Sequence, residues 1–340
     1  MLEKPDLPDE KIIACLQDEY GLRIAQFTFL PLGADMNTAV YRAAAADGSS
    51  YFVKLRLADF DPIAVDLPKY LHDQGIAQII PPLAAQSGRL WAALETCRLI
   101  VYPFVAGRDG YQIDLTQQHW YDFGRAMKAL HTIELPPGLL ARIPRETYPA
   151  AGRELVRKSI AWAENGHFDD PVAARLAAIL REHRGAILDL VARAERLARQ
   201  LQSAPRPFVP CHSDVHAGNI FIDDSGKLYI VDWDNPILAP KERDLMFPGG
   251  AQGFGGHPLE AEETLFYRGY GPGEVDPAAL AYYRCERIVQ DMAVFCSQLL
   301  SGSEGGADRE QAIGYLLSNF EHGGTLEIAL RTEAIKVKGI

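Results

Sequence analysis

The spacing of apolar residues changes along this chain, and the changes mark its parts. Residues 9 to 19 carry Ile12, Ile13 and Leu16 at helical spacing, which predicts a short amphipathic helix. Strand-like runs follow at Ile24 to Leu30, Thr38 to Ala44 and Tyr51 to Arg56. Turn-forming stretches at residues 31 to 37 and Asp47-Gly48-Ser49-Ser50 separate them, so the pattern predicts a small antiparallel sheet and no strand–helix–strand crossover. Pro68 is expected to open a helix that ends near Gly75. Ile79 to Leu83, Arg89 to Leu94 and Cys97 to Phe104 read as further strands.

Beyond residue 105 the period becomes helical. Gln117 to Ile133 places Trp120, Phe123, Met127 and Leu130 three and four apart, a core stripe. Helices are predicted over Ala151 to Glu164, Pro171 to Gln202, Pro258 to Gly269, Pro277 to Leu300 and Arg309 to Phe320. The expected fold class is α+β with two lobes: an N-lobe of sheet and helix over residues 1–104, and a large, mostly helical C-lobe over 105–340. A ligand site is expected between them, where cofactor pockets commonly form.

The segment Cys211-His212-Ser213-Asp214-Val215-His216-Ala217-Gly218-Asn219, followed by Asp232-Trp233-Asp234, narrows the chemistry. Ile220 to Asp223 and Leu228 to Asp232 alternate around the turn Asp224-Ser225-Gly226-Lys227, a β-hairpin pattern. A four-residue loop puts Asn219 opposite Asp232, two oxygen ligands suited to Mg2+. Asp214, just upstream, is placed to orient a hydroxyl for attack. Together these are the parts of phosphoryl transfer from ATP to a small molecule. His212 is expected to brace the loop and His216 to contact substrate or loop; the spacing His212-x-Asp214-x-His216 also leaves zinc as an alternative.

Lys54, on an apolar strand with Phe52, Val53 and Leu55, can reach phosphate oxygens. The loop at Gly33, with Asp35 and Asn37, lacks the spacing of a P-loop or dinucleotide fingerprint and reads as a short nucleotide cover or a plain turn. The connector at Tyr102, Pro103 and Phe104 can offer backbone groups and apolar walls to an adenine ring. Asp234, Glu286 and Arg287 are candidates for the acceptor pocket, with an internal ion pair as the other reading of the last two; Asp244 is expected to anchor the loop.

Composition removes other classes. Net charge is −11 with no Lys/Arg run, which argues against nucleic-acid binding; an acidic cleft would attract a cationic substrate, and an ordinary acidic surface that aids solubility is the other reading. No apolar window is long enough to span a membrane, and the acidic, Pro-containing N-terminus does not read as a secretory signal. Five widely spaced cysteines fit a reduced, cytoplasmic protein. A monomer is the default, since the site needs no partner residues.

These residues resemble the aminoglycoside phosphotransferase family, whose fold is protein-kinase-like. The likeness is carried by Lys54, Tyr102 to Phe104, the Asp214 segment and the Asp232 segment. Further blocks resemble the members that phosphorylate spectinomycin: residues 33 to 38, 71 to 76, 212 to 219, 240 to 247 and 283 to 289. The resemblance implies Asp214 as the catalytic Asp, Asn219 and Asp232 as Mg2+ ligands, Lys54 on the nucleotide phosphates, and a cationic antibiotic as acceptor. A kinase of choline, an amino sugar, homoserine or methylthioribose would use the same catalytic set. Intact Lys54, Asp214, Asn219 and Asp232 argue against a non-catalytic pseudokinase. One departure stands out: the kinase pattern pairs the phosphate-binding Lys with a Glu on the next helix, whereas here Asp66 is offered, as partner of Lys54 or as a helix cap.

Overall fold

A computed structural model describes residues 3–33, 35, 37–57, 59–204, 206–301 and 306–332. In chain order the elements are α1 (Asp9–Tyr20), β1 (Ile24–Leu30), β2 (Thr38–Ala45), β3 (Ser50–Arg56), α2 (Ile63–Asp73), β4 (Ala92–Leu94), β5 (Cys97–Pro103) and β6 (Gly107–Asp109). Then come α3 (Gln117–Thr132), α4 (Pro137–Leu140), α5 (Ala151–Asn165), α6 (Pro171–Glu182), α7 (Arg184–Gln202), β7 (Val209–Cys211), β8 (Ile220–Asp223), β9 (Leu228–Ile230) and β10 (Ile237–Ala239). Helices α8 (Glu242–Leu245), α9 (Leu259–Tyr270), α10 (Pro277–Ser301), α11 (Gly306–Ser318) and α12 (Thr325–Thr332) complete the order. The class is α+β, as expected.

The chain forms two compact units. The first comprises Met1–Ile113, Glu134–Ile143 and Ala217–Pro236, so it takes in the hairpin that sequence reading gave to the C-lobe. Its five-stranded antiparallel sheet has the order β1-β2-β3-β5-β4. Helix α1 buries Ile12, Cys15 and Leu16 against this sheet's core, which includes Tyr41, Val53, Leu55, Leu99 and Val101. Gly21 closes α1 in the left-handed conformation (φ 71°), donating its N–H to the Gln17 carbonyl.

Two expectations in this unit are corrected. Pro68 lies inside α2, which begins at Ile63 after the Asp61 side chain accepts from the Ile63 N–H. Residues 79 to 83 form no strand; Ile79 makes only an isolated bridge to Ile230. Three short residues of pairing, Gly107 to Asp109 on β8, add an edge to the hairpin that no alternation announced.

The second unit holds Asp114–Ile133, Pro144–His216 and Ile237–Ile340. Helices α5, α6, α7, α10, α11 and α12 share one core, built from Val156, Leu176, Leu190, Val191, Ile288, Met292 and Ile313 among others. The predicted single helix over 171 to 202 is two helices, α6 and α7, joined at His183, whose ring stacks on Phe320 at 3.9 Å. The break lets both segments turn an apolar face to that core. Elsewhere α3 meets α9 through two glycines: a Cβ on Gly124 would lie 2.1 Å from the Phe266 carbonyl oxygen, and one on Gly269 would lie 1.9 Å from that of Tyr121. Only residues without a side chain allow this backbone approach. All five cysteines are buried, and none is in a disulfide. Among the described residues no helix is long and apolar enough to cross a membrane.

Candidate active site

The first unit gathers one set of the expected groups. Lys54 pairs in register with Val40 on one side and Ile100 on the other, so the sheet fixes its backbone. Its ammonium donates to Asp232 Oδ1 at 2.6 Å and to Asp234 Oδ1 at 2.7 Å. Burial alone would lower the Lys54 pKa; the charges of Asp232 and Asp234 outweigh it and raise the pKa. Arg56, two residues along β3 and so on the same face, donates to Asp234 Oδ2 at 2.8 Å and to Asp35 Oδ2 at 2.6 Å. Sequence reading missed Arg56, although the period of a strand signals it.

The hairpin register differs from expectation. Ile220 faces Ile230 and Ile222 faces Leu228, with Gly226 left-handed (φ 86°) in a three-residue loop. The slip of one residue brings Asn219 opposite Val231, whose N–H donates to the Asn219 carbonyl at 3.0 Å. Asp232 follows with φ 65°, an uncommon backbone for a residue other than glycine. The Asn219 amide and the Asp232 carboxylate offer the hard oxygen donors a magnesium ion takes, and Asp232 already carries a cation, the Lys54 ammonium. The donor set fits.

Other candidates in this unit lie elsewhere. Asp66 pairs with Arg142 at 2.6 Å, not with Lys54, and caps no helix; the place expected for it beside Lys54 is taken by Asp232 and Asp234. Asp234, read as an acceptor candidate, is engaged by Lys54 and Arg56. Gly33 is left-handed (φ 85°), and Asp35 accepts from the Asn37 N–H and the Thr38 hydroxyl, so Asp35 and Asn37 brace the loop. Ala34 and Met36 of that block lie outside the described residues. Tyr102 and Pro103 end β5, and the Phe104 N–H donates to the Ser50 carbonyl while its ring lies under Arg42.

The second unit gathers the other set. Asp244 accepts from the N–H groups of His212 (2.9 Å) and Ser213 (2.6 Å), which fixes the loop that carries Asp214. The loop needs this support because Ser213 has φ 73°. His131 on α3 reaches Asp244 Oδ2 through Nε2 at 3.0 Å and Tyr270 on α9 through Nδ1 at 2.9 Å. His212 is buried and its Nδ1 accepts from the Asp214 N–H at 3.2 Å. Among the described residues the one group of neighbouring potential metal ligands is His131, Cys211 and Asp244. Asp244 is occupied by three donors, and burial pushes the Cys211 thiol well above its usual pKa, so these residues do not suit zinc.

Asp214 meets Arg287: Nη1 donates to Oδ1 at 2.5 Å, and His216 Nε2 stands 3.8 Å from the same oxygen. Burial would raise the Asp214 pKa; the Arg287 guanidinium, then His216 and His212, outweigh it and hold the carboxyl below the usual range. Glu286, expected near the acceptor or beside Arg287, is sealed in the core at 1% exposure, with Arg153 Nη1 on its Oε2 at 2.5 Å. One step around α10 separates the two fates: Glu286 faces α5, and Arg287 faces the Asp214 loop.

The phosphotransferase enzyme family profile (APH) matches residues 28–245. The chain belongs to this family. A solved spectinomycin phosphotransferase, APH(9)-Ia, in complex with ADP and spectinomycin, is 34% identical, with a TM-score of 0.89 over 97% of this chain and 100% of that one. Its AMP-bound complex is likewise 34% identical, with a TM-score of 0.84 over 95% and 98% of the two chains. An amicoumacin kinase (17% identity, TM-score 0.62, 96% and 94% covered) and a choline kinase from Streptococcus pneumoniae (14%, 0.57, 96% and 98%) share the fold. No curated protein sequence gives a match. This family member is thus a small-molecule phosphotransferase with a protein-kinase-like fold.

Proposed function

We propose that this phosphotransferase moves the γ-phosphoryl group of ATP to a hydroxyl of an aminocyclitol antibiotic, that the acceptor is spectinomycin, and that the modification confers resistance. The observation that carries this reading is 34% identity across 97% of the chain to an enzyme solved with ADP and spectinomycin. The acidic net charge of −11 agrees with a cationic acceptor. We place the reaction in the cytoplasm, carried out by a monomer, where buried thiols such as these stay reduced.

In this reading Asp214 accepts the hydrogen bond of the acceptor hydroxyl and takes its proton as the oxygen attacks phosphorus in line. Lys54 contacts the nucleotide phosphates, which displace part of its present pairing with Asp232 and Asp234. Asn219 and Asp232 would hold magnesium, which supplies charge neutralisation to the phosphates when bound. Tyr102 to Phe104 receive the adenine. His212 and Asp244 keep the loop in register, and His216 stands beside the acceptor. Positioning and electrostatics supply the rate enhancement, without a covalent intermediate.

The test is direct. Purified protein is incubated with Mg-ATP and spectinomycin, with aminoglycosides and choline in parallel, and products are read by mass spectrometry. A gain of one phosphate on spectinomycin, about 80 Da, is the expected result. Phosphorylation of choline or another acceptor alone would replace the acceptor and keep the chemistry; no product with any of them would overturn the proposal.

A further inference from the structure

The Asp214 loop is not held by its own turn alone. We propose that Arg287, tethered by Asp291, is the positioning residue of the reaction: it holds the Asp214 side chain in place and in its charged form. This rests on Asp214 being the group that takes the hydroxyl proton.

Four observations carry it. Arg287 donates two hydrogen bonds in different directions, Nη1 to Asp214 Oδ1 at 2.5 Å and Nε to Asp291 Oδ2 at 2.9 Å. Asp291 is four residues further along α10, so helix geometry sets that tether before any loop is added. The flank of the guanidinium lies over the Phe247 ring, 5.8 Å from its centroid. The helix itself is anchored, with Cys285, Ile288, Val289 and Met292 all in the core. A planar fork held at one end by its own helix can direct a carboxylate at the other; a lysine, with a flexible stem and a point charge, cannot do both.

The ionisable groups around Asp214 come from three elements. Its own loop supplies His212 and His216, α10 supplies Arg287 and Asp291, and α8 supplies Asp244, which is spent on backbone N–H groups. Asp291 is a second carboxylate near Asp214, and the guanidinium that bonds both is the main charge that offsets their repulsion, with His216 adding to it. Removing Arg287 therefore leaves two carboxylates facing each other, and removing Asp291 leaves Arg287 paired but untethered.

The experiment uses the full chain and two readouts. The first is the 13C carboxyl titration of Asp214, assigned by the resonance that Asp214→Asn deletes; it needs no acceptor. Arg287→Gln should raise the Asp214 titration by about one unit or more, in line with an opposite charge at this distance. The second is the single-turnover rate with Mg-ATP and spectinomycin against pH. Arg287→Gln should lose about tenfold or more at neutral pH through lost positioning, with its acid limb shifted upward. Asp291→Asn should slow the step several-fold with the limb no higher than in the parent, and covers the case in which Arg287→Gln does not fold. An unmoved Asp214 titration in Arg287→Gln, or an unchanged rate in Asp291→Asn, overturns the inference. Full activity in Asp214→Asn would instead sink the assignment of Asp214, which is a separate outcome.

Discussion

Lys54 and Arg287 each sit between two carboxylates, one in each unit, yet the two arrangements are built to behave differently. Lys54 extends from the middle of a sheet toward Asp232 and Asp234, two residues of one loop. Its contacts are those of a point charge, which exchanges one set of oxygens for another at little geometric cost. Arg287 is clamped by its own helix and addresses Asp214 through a rigid fork. Each set includes a left-handed residue other than glycine, Asp232 in one and Ser213 in the other. Ser213 is pinned by a buried carboxylate that accepts its N–H. In the proposed function, the cation that must exchange one set of oxygens for another is a lysine, and the one that must keep a carboxylate aimed is an arginine.

The comparison is broken most severely at Asp214. Asp214→Asn should lower kcat by about two to four powers of ten while KM for ATP changes little, as expected for loss of a general base. Steady-state kinetics check both numbers. Next is Lys54→Met, which should cost about a hundredfold or more in kcat/KM for ATP, the scale of removing one preorganised electrostatic contact. Lys54→Arg should fail to restore it, because the fork does not reproduce a point charge; full rescue would erase the distinction drawn here.

The support behind each cluster differs too, and that can be tested without touching a charge. Gly269 precedes Tyr270, the residue bonded to His131, which in turn bonds Asp244. Gly269→Ala should destabilise the fold by about 3 kcal/mol, the upper end for overpacking, because its Cβ would meet the Tyr121 carbonyl at 1.9 Å. Denaturant unfolding measures this, with Gly138→Ala as a neutral control, since nothing lies within 4 Å of a Cβ there.

A last effect, no larger than that one, is a pH slope. Glu262 on α9 is buried, with Oε1 unpartnered and Oε2 accepting the Gly249 N–H, and burial pushes its pKa up from 4.5 to about 7. A carboxyl whose folded pKa lies above its unfolded value stabilises the fold below pH 4.5 and loses that contribution as pH rises to about 7. Glu262→Gln should therefore remove a loss of up to about 3 kcal/mol between pH 5 and pH 8. Unfolding midpoints at the two pH values decide it.

Much of this was legible in the sequence, and the misses have physical reasons. The strands that became β1, β2, β3 and β5 and the long helices were readable because their periods are local. The three-residue strands β6, β7 and β10 were not, since their pairing comes from residues far along the chain. The hairpin slipped one register because Gly226 closes a shorter loop than its four turn-forming residues suggested. At the site, the motif residues themselves stood out. Their partners did not: Lys54 and Asp232 are 178 residues apart, and nothing local announces such a pair. Asp291 could have been found, being one helical turn from Arg287.

The five cysteines turn the two units into objects that can be followed separately. Cys15 and Cys97 belong to the first unit, and Cys211, Cys285 and Cys296 to the second, all of them buried and none in a disulfide. A thiol reagent shut out of the packed interior can reach them only in molecules that have opened. The labelling rates thus form a built-in clock for each unit: two kinetic classes, split along those groups, mean that the units breathe independently, and a single class means that the chain opens as one.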